Sequence, residues 1–173
     1  ALVDVRGLSA IEAGLALTAA TLTWTSGSWI QARLASRYPP ALFVRVGLAV
    51  VILGLALFMV VLLPQVSPWV SIPAFAVAGL GMGLAYSPLA LIVLRESPES
   101  EQGASSSAIS LLDSLGTALG TGVTGALIAA SVRLTGGATQ GLAAGFAIAI
   151  AVGLLGLALS GRLWVARSRP AVR

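Results

Sequence analysis

A single carboxylate set among hydroxyl groups is the part of this sequence best suited to chemistry inside an apolar segment. Asp113 lies in the apolar stretch 102–132, about 11 residues and roughly 16 Å from its start. A charged carboxylate at such a depth in a membrane is costly unless it is hydrated or paired, and intramembrane acids often serve as proton relays. We therefore predict that Asp113 is a candidate for proton coupling. The alternative is that it only hydrates a cavity or pairs with a residue elsewhere in the protein.

Small polar residues share one helical face with Asp113, and a second set shares one face of another apolar stretch. On a helical wheel of 100 degrees per residue, each set falls within an arc of about 80 degrees. The first set is Gly14, Thr18, Thr21, Thr25 and Ser28, and the second is Ser106, Ser110, Asp113, Thr117, Thr121 and Thr124. Hydroxyl groups in membrane helices often bond only to their own helix or to a neighbouring one. Because exposing two such faces to lipid is costly, we expect them to face an aqueous cavity or a partner helix bundle.

The composition excludes most catalytic chemistry. The absence of Cys and His removes disulfides, thiolate nucleophiles, imidazole bases and the usual zinc and haem ligands. Apart from Asp113, the acids lie near the start, at Asp4 and Glu12, or in the segment 96–101. No pair of carboxylates is visible for a buried metal or for acid–base hydrolysis. We therefore predict no metal site and no cofactor, and we disfavour an enzyme.

Five long apolar stretches account for most of the chain. They cover roughly residues 8–31, 41–63, 69–94, 102–132 and 141–163. Each exceeds the about 20 helical residues that span a bilayer. The chain is 57% hydrophobic and 9% charged, against about 25% charged residues in soluble domains. Because the stretches are continuous rather than alternating, they predict an all-α membrane domain of five transmembrane helices and not a barrel.

The arginines predict the orientation of these helices. All ten basic residues are Arg, and eight of them collect on the side that holds the loops 32–40 and 95–101 and the C-terminal tail. Because cytoplasmic loops retain positive charge, we predict an external N-terminus and a cytoplasmic C-terminus in a multi-pass protein of the cell membrane. The basic residues are not interleaved with stacking aromatics, which disfavours nucleic-acid binding.

Local signals mark the predicted helix ends. Ser9 to Glu12 fits a capping box, which gives Glu12 a structural role. Pro39-Pro40 blocks continuation of the first helix, and the interior Pro88 predicts a kink in the third. Gly136-Gly137 marks a turn. Ala1 stands where Met would begin a protein, and no signal peptide is recognisable, so we expect an external loop of a longer polytopic chain.

Glycine spacing gives a weaker indication of close helix packing. Pairs four residues apart are Gly79/Gly83, Gly116/Gly120, Gly137/Gly141 and Gly141/Gly145. The run Gly79 to Gly83 is denser than the others. It predicts a tightly packed third helix.

Several segments resemble the major facilitator superfamily of transporters. Trp24 to Arg37, followed by Val44-Arg45-Val46-Gly47, resembles the second-half copy of the cytoplasmic helix–loop motif of that superfamily. Four further parts of the sequence resemble the later helices of drug/proton antiporters in that superfamily. They are Gly79 to Gly83, Pro88, Glu101 to Ser105 and Leu115 to Gly120. The resemblance extends over about residues 7–163.

The resemblance implies that the five helices are the last five of a transporter of 12 or 14 spans. It would export hydrophobic or drug-like small molecules in exchange for protons, and its partners would be the lipid bilayer, the substrate, protons and the missing N-terminal half. The first, third and fourth helices would border the substrate path, and the second and fifth would be peripheral, which matches the helical wheels. The candidate path residues are Thr18, Thr21, Thr25, Ser28, Tyr86, Ser110, Asp113, Thr117 and Thr121.

The resemblance also implies a cytoplasmic gate. Gly27, Arg33 and Arg37 fit its positions, but Gln31 stands where the family often has Asp four residues after the Gly. The acids of the segment 96–101 share the predicted cytoplasmic face and offer the arginines alternative partners, unless they remain solvated. Two other readings stay open: a stand-alone scaffold or assembly subunit that uses the polar faces as interfaces, and a channel, which is weaker because no ring of charges appears.

Overall fold

The computed structural model describes residue 3 and residues 7–161, and this part of the chain is helical without strands. It contains five long helices: α1 (Ala10–Leu34), α2 (Pro40–Val61), α3 (Ser71–Glu96), α4 (Gln102–Thr135) and α5 (Thr139–Ser160). Their ends differ from the predicted bounds by at most three residues. The predicted end of the last helix at 163 lies outside the described residues. So do Asp4, Arg6 and the arginines of the C-terminal tail.

The helix ends form where local chemistry directs them. The hydroxyl of Ser9 accepts from the backbone N–H of Glu12, and Glu12 Oε2 accepts from the backbone N–H of Ser9 at 2.8 Å. The capping box, and with it a structural role for Glu12, is confirmed. Pro40 is the first residue of α2. A backbone N–H at this position would have no acceptor within the helix, so the absence of an N–H in proline costs no hydrogen bond. Gly136 ends α4 in a left-handed conformation at φ +74°, which glycine adopts without steric cost.

Four segments are long and apolar enough to cross a membrane. They are Pro40–Val61, Pro68–Glu96, Glu99–Thr135 and Thr139–Ser160. Helix α1 is also long enough, at 25 residues or roughly 37 Å. It is not among the four because its threonines, serines and tryptophans lower its hydropathy. Its place as a fifth membrane span therefore stays a prediction.

Helix α3 occupies the centre of the packing. It lies between α1 and α2, while α5 packs on the other side of α2, α4 packs on α5, and α4 approaches α3 only lightly. Aromatic rings join three of these helices, because Phe58 of α2 lies 4.7 Å from Phe75 of α3 and 4.9 Å from Phe146 of α5 between ring centroids. Pro88 lies fully buried within a continuous α3.

Glycines set the close approach of α3 to its neighbours. A Cβ at Gly79 or Gly83 would collide with backbone carbonyl groups of α1, and one at Gly81 would lie 2.6 Å from the Val51 nitrogen of α2. The tight packing predicted for the third helix is thus confirmed. In contrast, a Cβ at Gly116 or Gly120 would have no atom of another helix within 4 Å, so their spacing marks no close helix packing within the described part of the chain.

Burial is unevenly distributed among the described helices. Helices α2 and α3 contain most of the buried residues, whereas Ser131 is the buried residue of α4, and Ala16 and Gly27 are those of α1. Among the described helices α2 is therefore more buried than α1 and α4, and the prediction that α1 and α4 border a substrate path while α2 and α5 are peripheral stays a prediction for the complete transporter. The wheel identifies the polar faces of α1 and α4 but cannot show what covers them, and most of their residues are exposed among the described helices.

Candidate functional site

A groove between α3 and α4 brings one charged residue and one phenol together. It has a volume of about 400 Å³ and is lined by Met82, Tyr86, Leu89, Ala90, Val93, Ile109, Leu112 and Asp113. The two helices contact each other only lightly. Of the predicted path residues, Tyr86 and Asp113 are the two that the structure places here. The rest of the lining is apolar, which sequence patterning did not single out.

Trp24 of α1 lies beside Tyr86, one of the residues that line this groove. Its ring centroid lies 6.0 Å from that of Tyr86 with the planes tilted by 56°, and the two side chains are 39% and 41% exposed. Tyr86 therefore contacts a tryptophan of α1 and also lines the groove that contains Asp113. Sequence reasoning missed Trp24 as a site residue. A large aromatic near the middle of a hydroxyl-rich helix was the available signal.

The hydroxyl groups of the α1 stripe donate to backbone carbonyl groups. Thr18 donates to Gly14 O at 2.9 Å, and Thr21 donates to Thr18 O at 2.9 Å. Thr25 continues the series by donating to Thr21 O at 3.1 Å. All three threonines are exposed. Each hydroxyl oxygen therefore keeps its lone pairs directed away from the helix, while its proton is engaged.

Ser28, at the end of this stripe, bonds to α3. Its hydroxyl donates to Gly83 O at 3.4 Å. The two helices come close enough for this hydrogen bond because Gly83 has no side chain. Ser28 therefore contributes to helix packing, whereas the exposed threonines above it do not.

The α4 stripe divides between two surfaces. Ser110 donates to Ser106 O at 3.2 Å and Thr121 donates to Thr117 O at 2.7 Å, and all four are exposed. Thr124 instead packs on Gly145 of α5 and lines a second, apolar groove of about 520 Å³ between α4 and α5. Thr124 therefore does not share the groove of Asp113.

Asp113 is exposed, and it has no hydrogen-bond or ion-pair partner among the described residues. The helical arginines of that part of the chain all lie near helix ends. Arg33, Arg95 and Arg133 occupy the last turns of α1, α3 and α4, and Arg45 lies early in α2. Asp113, in contrast, is in the middle portion of α4. Its carboxylate therefore sets the sign of the charge in the groove.

Of the predicted gate residues, Arg33 forms a cation–π contact, and none forms an ion pair among the described residues. The guanidinium carbon of Arg33 lies 4.0 Å from the ring centroid of Trp29. Arg37 is exposed in the turn after α1. Neither arginine pairs with Glu96, Glu99 or Glu101 within the described residues, so the proposed substitute for the missing Asp is not formed here.

Gly27, the third gate candidate, is a packing residue in this structure. It is buried, and a Cβ there would lie 2.5 Å from Leu80 O of α3. A larger side chain would push α1 and α3 apart. Any role in a gate therefore acts through the distance between these helices.

Within the described part of the chain, no three His, Cys, Asp or Glu residues come together as a possible metal site. What the residues offer is a groove with one carboxylate, one phenol and otherwise apolar walls. Such a lining suits reversible binding of a small molecule.

A comparison with protein families gives one match. A profile described as Major Facilitator Superfamily matches residues 1–121, which include α1, α2, α3 and the first part of α4. Comparisons with characterised proteins and with solved structures give no significant match.

Proposed function

The chain belongs to the major facilitator superfamily, and on that premise we propose that it is the C-terminal portion of a transporter that exports hydrophobic small molecules in exchange for protons. Family membership makes it a membrane transport protein rather than an enzyme. It also favours transport over a stand-alone scaffold. The single observation that carries the finer proposal is the unpaired Asp113 in an apolar groove.

Proton exchange rests on the position of Asp113. It is the acid of the middle portion of α4, and no described arginine neutralises it. An acid at membrane depth that lacks a permanent counter-charge is suited to taking up and releasing a proton. Coupling follows when protonation changes the relative free energies of two conformations of the transporter.

The character of the groove supports a hydrophobic substrate. Met82, Leu89 and Val93 of α3 face Ile109 and Leu112 of α4 across it. Apolar walls with a small number of polar groups are typical of ligand sites, in which burial supplies affinity and the polar groups supply orientation. The volume of about 400 Å³ is within the range of small-molecule pockets.

The uncovered polar faces support a second half of the transporter. Alternating access in such folds arises when two repeats rock around a site near the bilayer midplane. Apart from Ser28 and Thr124, the hydroxyl residues of the stripes of α1 and α4 are exposed, and lipid would be a poor partner for them. We propose that the N-terminal half and the water-filled path between the halves cover these faces, with the N-terminus of this chain outside and its C-terminus in the cytoplasm of a cell-membrane protein.

An accumulation assay tests the proposed export. The complete polypeptide that contains this chain is produced in cells that lack their major efflux pumps. The cells are then loaded with ethidium, rhodamine 6G or Nile red. We expect lower accumulation of at least one compound than in vector cells, and we expect a protonophore to remove the difference.

Residues 1–173 produced alone are the control, because one half cannot provide alternating access. Vector-level accumulation of all three compounds by the complete polypeptide, at a confirmed membrane level of the protein, would contradict the proposed export. Efflux that persists unchanged with the protonophore would contradict proton exchange.

A further inference from the structure

Helix α1 has an exposed apolar face that is separate from its polar stripe. The four apolar side chains of this face are between 50% and 79% exposed, and an arginine of the last turn continues the face. On a helical wheel the five residues fall within an arc of about 40 degrees, which lies about 80 degrees from the middle of the polar stripe. They are called the α1 ridge below and are Ile11, Leu15, Leu22, Trp29 and Arg33.

The size of these side chains distinguishes the ridge from the surface that packs on α3. Where α1 meets α3, residues without side chains bring the two backbones together, and a Cβ at Gly27 would lie 2.5 Å from Leu80 O. Helices in membranes associate largely through small residues of this kind. The ridge instead presents branched and aromatic side chains. Lipid acyl chains, which adapt to large side chains, therefore suit this surface better than another helix does.

The charged end of the ridge is suited to a phosphate group. The guanidinium carbon of Arg33 lies 4.0 Å from the ring centroid of Trp29. Stacking occupies one face of the guanidinium and leaves its N–H groups free to donate in the plane, where they match two oxygens of a phosphate. Arg33 is exposed and forms no ion pair among the described residues. Tryptophan is also enriched at the depth of lipid headgroups.

The turn after α1 adds a second cation and a second amphipathic ring. Arg37 is exposed and, like Arg33, has no ion pair within the part of the chain that the structure describes. Tyr38 is 48% exposed, and its ring packs edge-on against Phe43 of α2 at 6.5 Å between centroids. Two unpaired arginines and two aromatic rings thus occupy the segment 29–38, at the predicted cytoplasmic end of α1.

The dimensions of the ridge match one leaflet of a bilayer. Leu22 precedes Arg33 by 11 residues, or roughly 16 Å along the helix. This is close to half of the hydrocarbon core, which is about 30 Å thick. With Arg33 at the level of the headgroups, Leu22 lies near the bilayer midplane and Trp29 lies between them. One acyl chain can therefore run along the ridge from Arg33 to Leu22.

From these features we propose that the cytoplasmic half of the α1 ridge, together with Arg37, binds an anionic phospholipid of the cytoplasmic leaflet. The two arginines hold the phosphate and the net negative charge of the headgroup, and one acyl chain lies against Trp29 and Leu22. Phosphatidylcholine has the same phosphate but also a compensating ammonium group, so it gains less from two unpaired cations. The site is separate from the groove between α3 and α4 and does not depend on the compound exported.

Quenching of Trp29 fluorescence by brominated lipids tests the inference. The complete transporter is reconstituted in phosphatidylcholine nanodiscs that contain a fixed fraction of either dibrominated phosphatidylglycerol or dibrominated phosphatidylcholine. Subtracting the emission of Trp29→Phe from that of the wild type isolates Trp29. An arginine near an anionic membrane surface gains attraction equivalent to about a fivefold change in binding. We therefore expect phosphatidylglycerol to associate beside Trp29 at least about fivefold more strongly than phosphatidylcholine.

Arginine variants locate the preference, each measured with its own Trp29→Phe reference. Arg33→Gln should lower the preference severalfold, and Arg37→Gln should lower it by a smaller factor. Arg33→Lys keeps the charge but not the planar donor groups, so it should keep part of the preference. Arg133→Gln is the matched control, because it removes an exposed arginine from the last turn of α4, at the predicted external end. It should leave the preference unchanged.

Equal quenching by the two brominated lipids would overturn the proposal, and a preference unchanged by Arg33→Gln would overturn the role of Arg33. Trp29 emission that neither lipid quenches would mean that protein covers the ridge, either a second copy or another part of the transporter, which also contradicts the proposal. Loss of the preference in excess glycerol phosphate would assign the arginines to soluble phosphates instead of a lipid.

Discussion

Asp113→Asn is expected to abolish export driven by a pH gradient while the transporter still reaches the membrane. The substitution keeps the size of the side chain and removes its ability to take up and release a proton. No other acid lies in the middle portion of a described helix, so this part of the chain offers no substitute. In proteoliposomes with an imposed pH gradient, the initial rate of export should fall at least about tenfold, which corresponds to about 1.4 kcal/mol.

Two variants make this result specific. Glu99→Gln removes a carboxylate from the short turn Glu99–Glu101 before α4 and should leave the rate unchanged. Asp113→Glu retains a titratable group and should retain part of the gradient-driven rate. If Asp113→Asn exported at the wild-type rate with the same dependence on the gradient, Asp113 would have no part in coupling.

Gly83→Ala is expected to destabilise the protein, although alanine is the better helix former. A Cβ at Gly83 would collide with the carbonyl oxygen of Trp24 and would lie 2.8 Å from the backbone nitrogen of Ser28. These are backbone atoms of α1 and cannot move aside as a flexible side chain can. Overpacking of this kind costs about 1–3 kcal/mol or more, and it would also weaken the bond from Ser28 to Gly83 O.

Gly122→Ala is the matched control because it makes the same change in α4. Nothing lies within 4 Å of a Cβ there, so the helix propensity of alanine should dominate and stabilise by up to about 1 kcal/mol. The midpoint of thermal unfolding in detergent should fall by roughly 2–12 °C for Gly83→Ala and stay level or rise for Gly122→Ala. A similar shift for both variants would contradict the packing of α1 on α3.

The opposite surroundings of these glycines show what sequence could predict. Gly79 and Gly83 are four residues apart, and a Cβ at either would collide with α1. Gly116 and Gly120 are also four apart, but a Cβ at either would have no atom of another helix within 4 Å. The spacing is identical. What distinguishes the pairs is the neighbouring helix, which depends on contacts between segments far apart in the chain. The denser run from Gly79 to Gly83 did predict a tightly packed helix. Its glycines allow close contact with both neighbours of α3, because Gly79 and Gly83 face α1 and Gly81 faces α2.

The candidate site was predicted in part for the same reason. Helical periodicity placed Asp113 among hydroxyls because residues three and four apart share a face. It could not show that Trp24 lies beside Tyr86, since this contact joins residues of different helices. It also could not show that Arg33 would lie over Trp29 instead of pairing with the acids of the segment 96–101. Both contacts depend on how helix ends and faces meet after packing.

The polar faces of α1 and α4 are proposed to line a water-filled path in the complete transporter. The chain has no native cysteine, so single cysteines can be introduced in a cysteine-free background and treated with a charged, membrane-impermeant methanethiosulfonate reagent. Thr25→Cys and Thr121→Cys should react at least about tenfold faster than Leu22→Cys and Leu119→Cys. The apolar side chains of Leu22 and Leu119 are exposed and would face lipid. Only the first pair would contact water, and a charged reagent does not enter hydrocarbon. Equal reactivity of the two pairs would contradict the path.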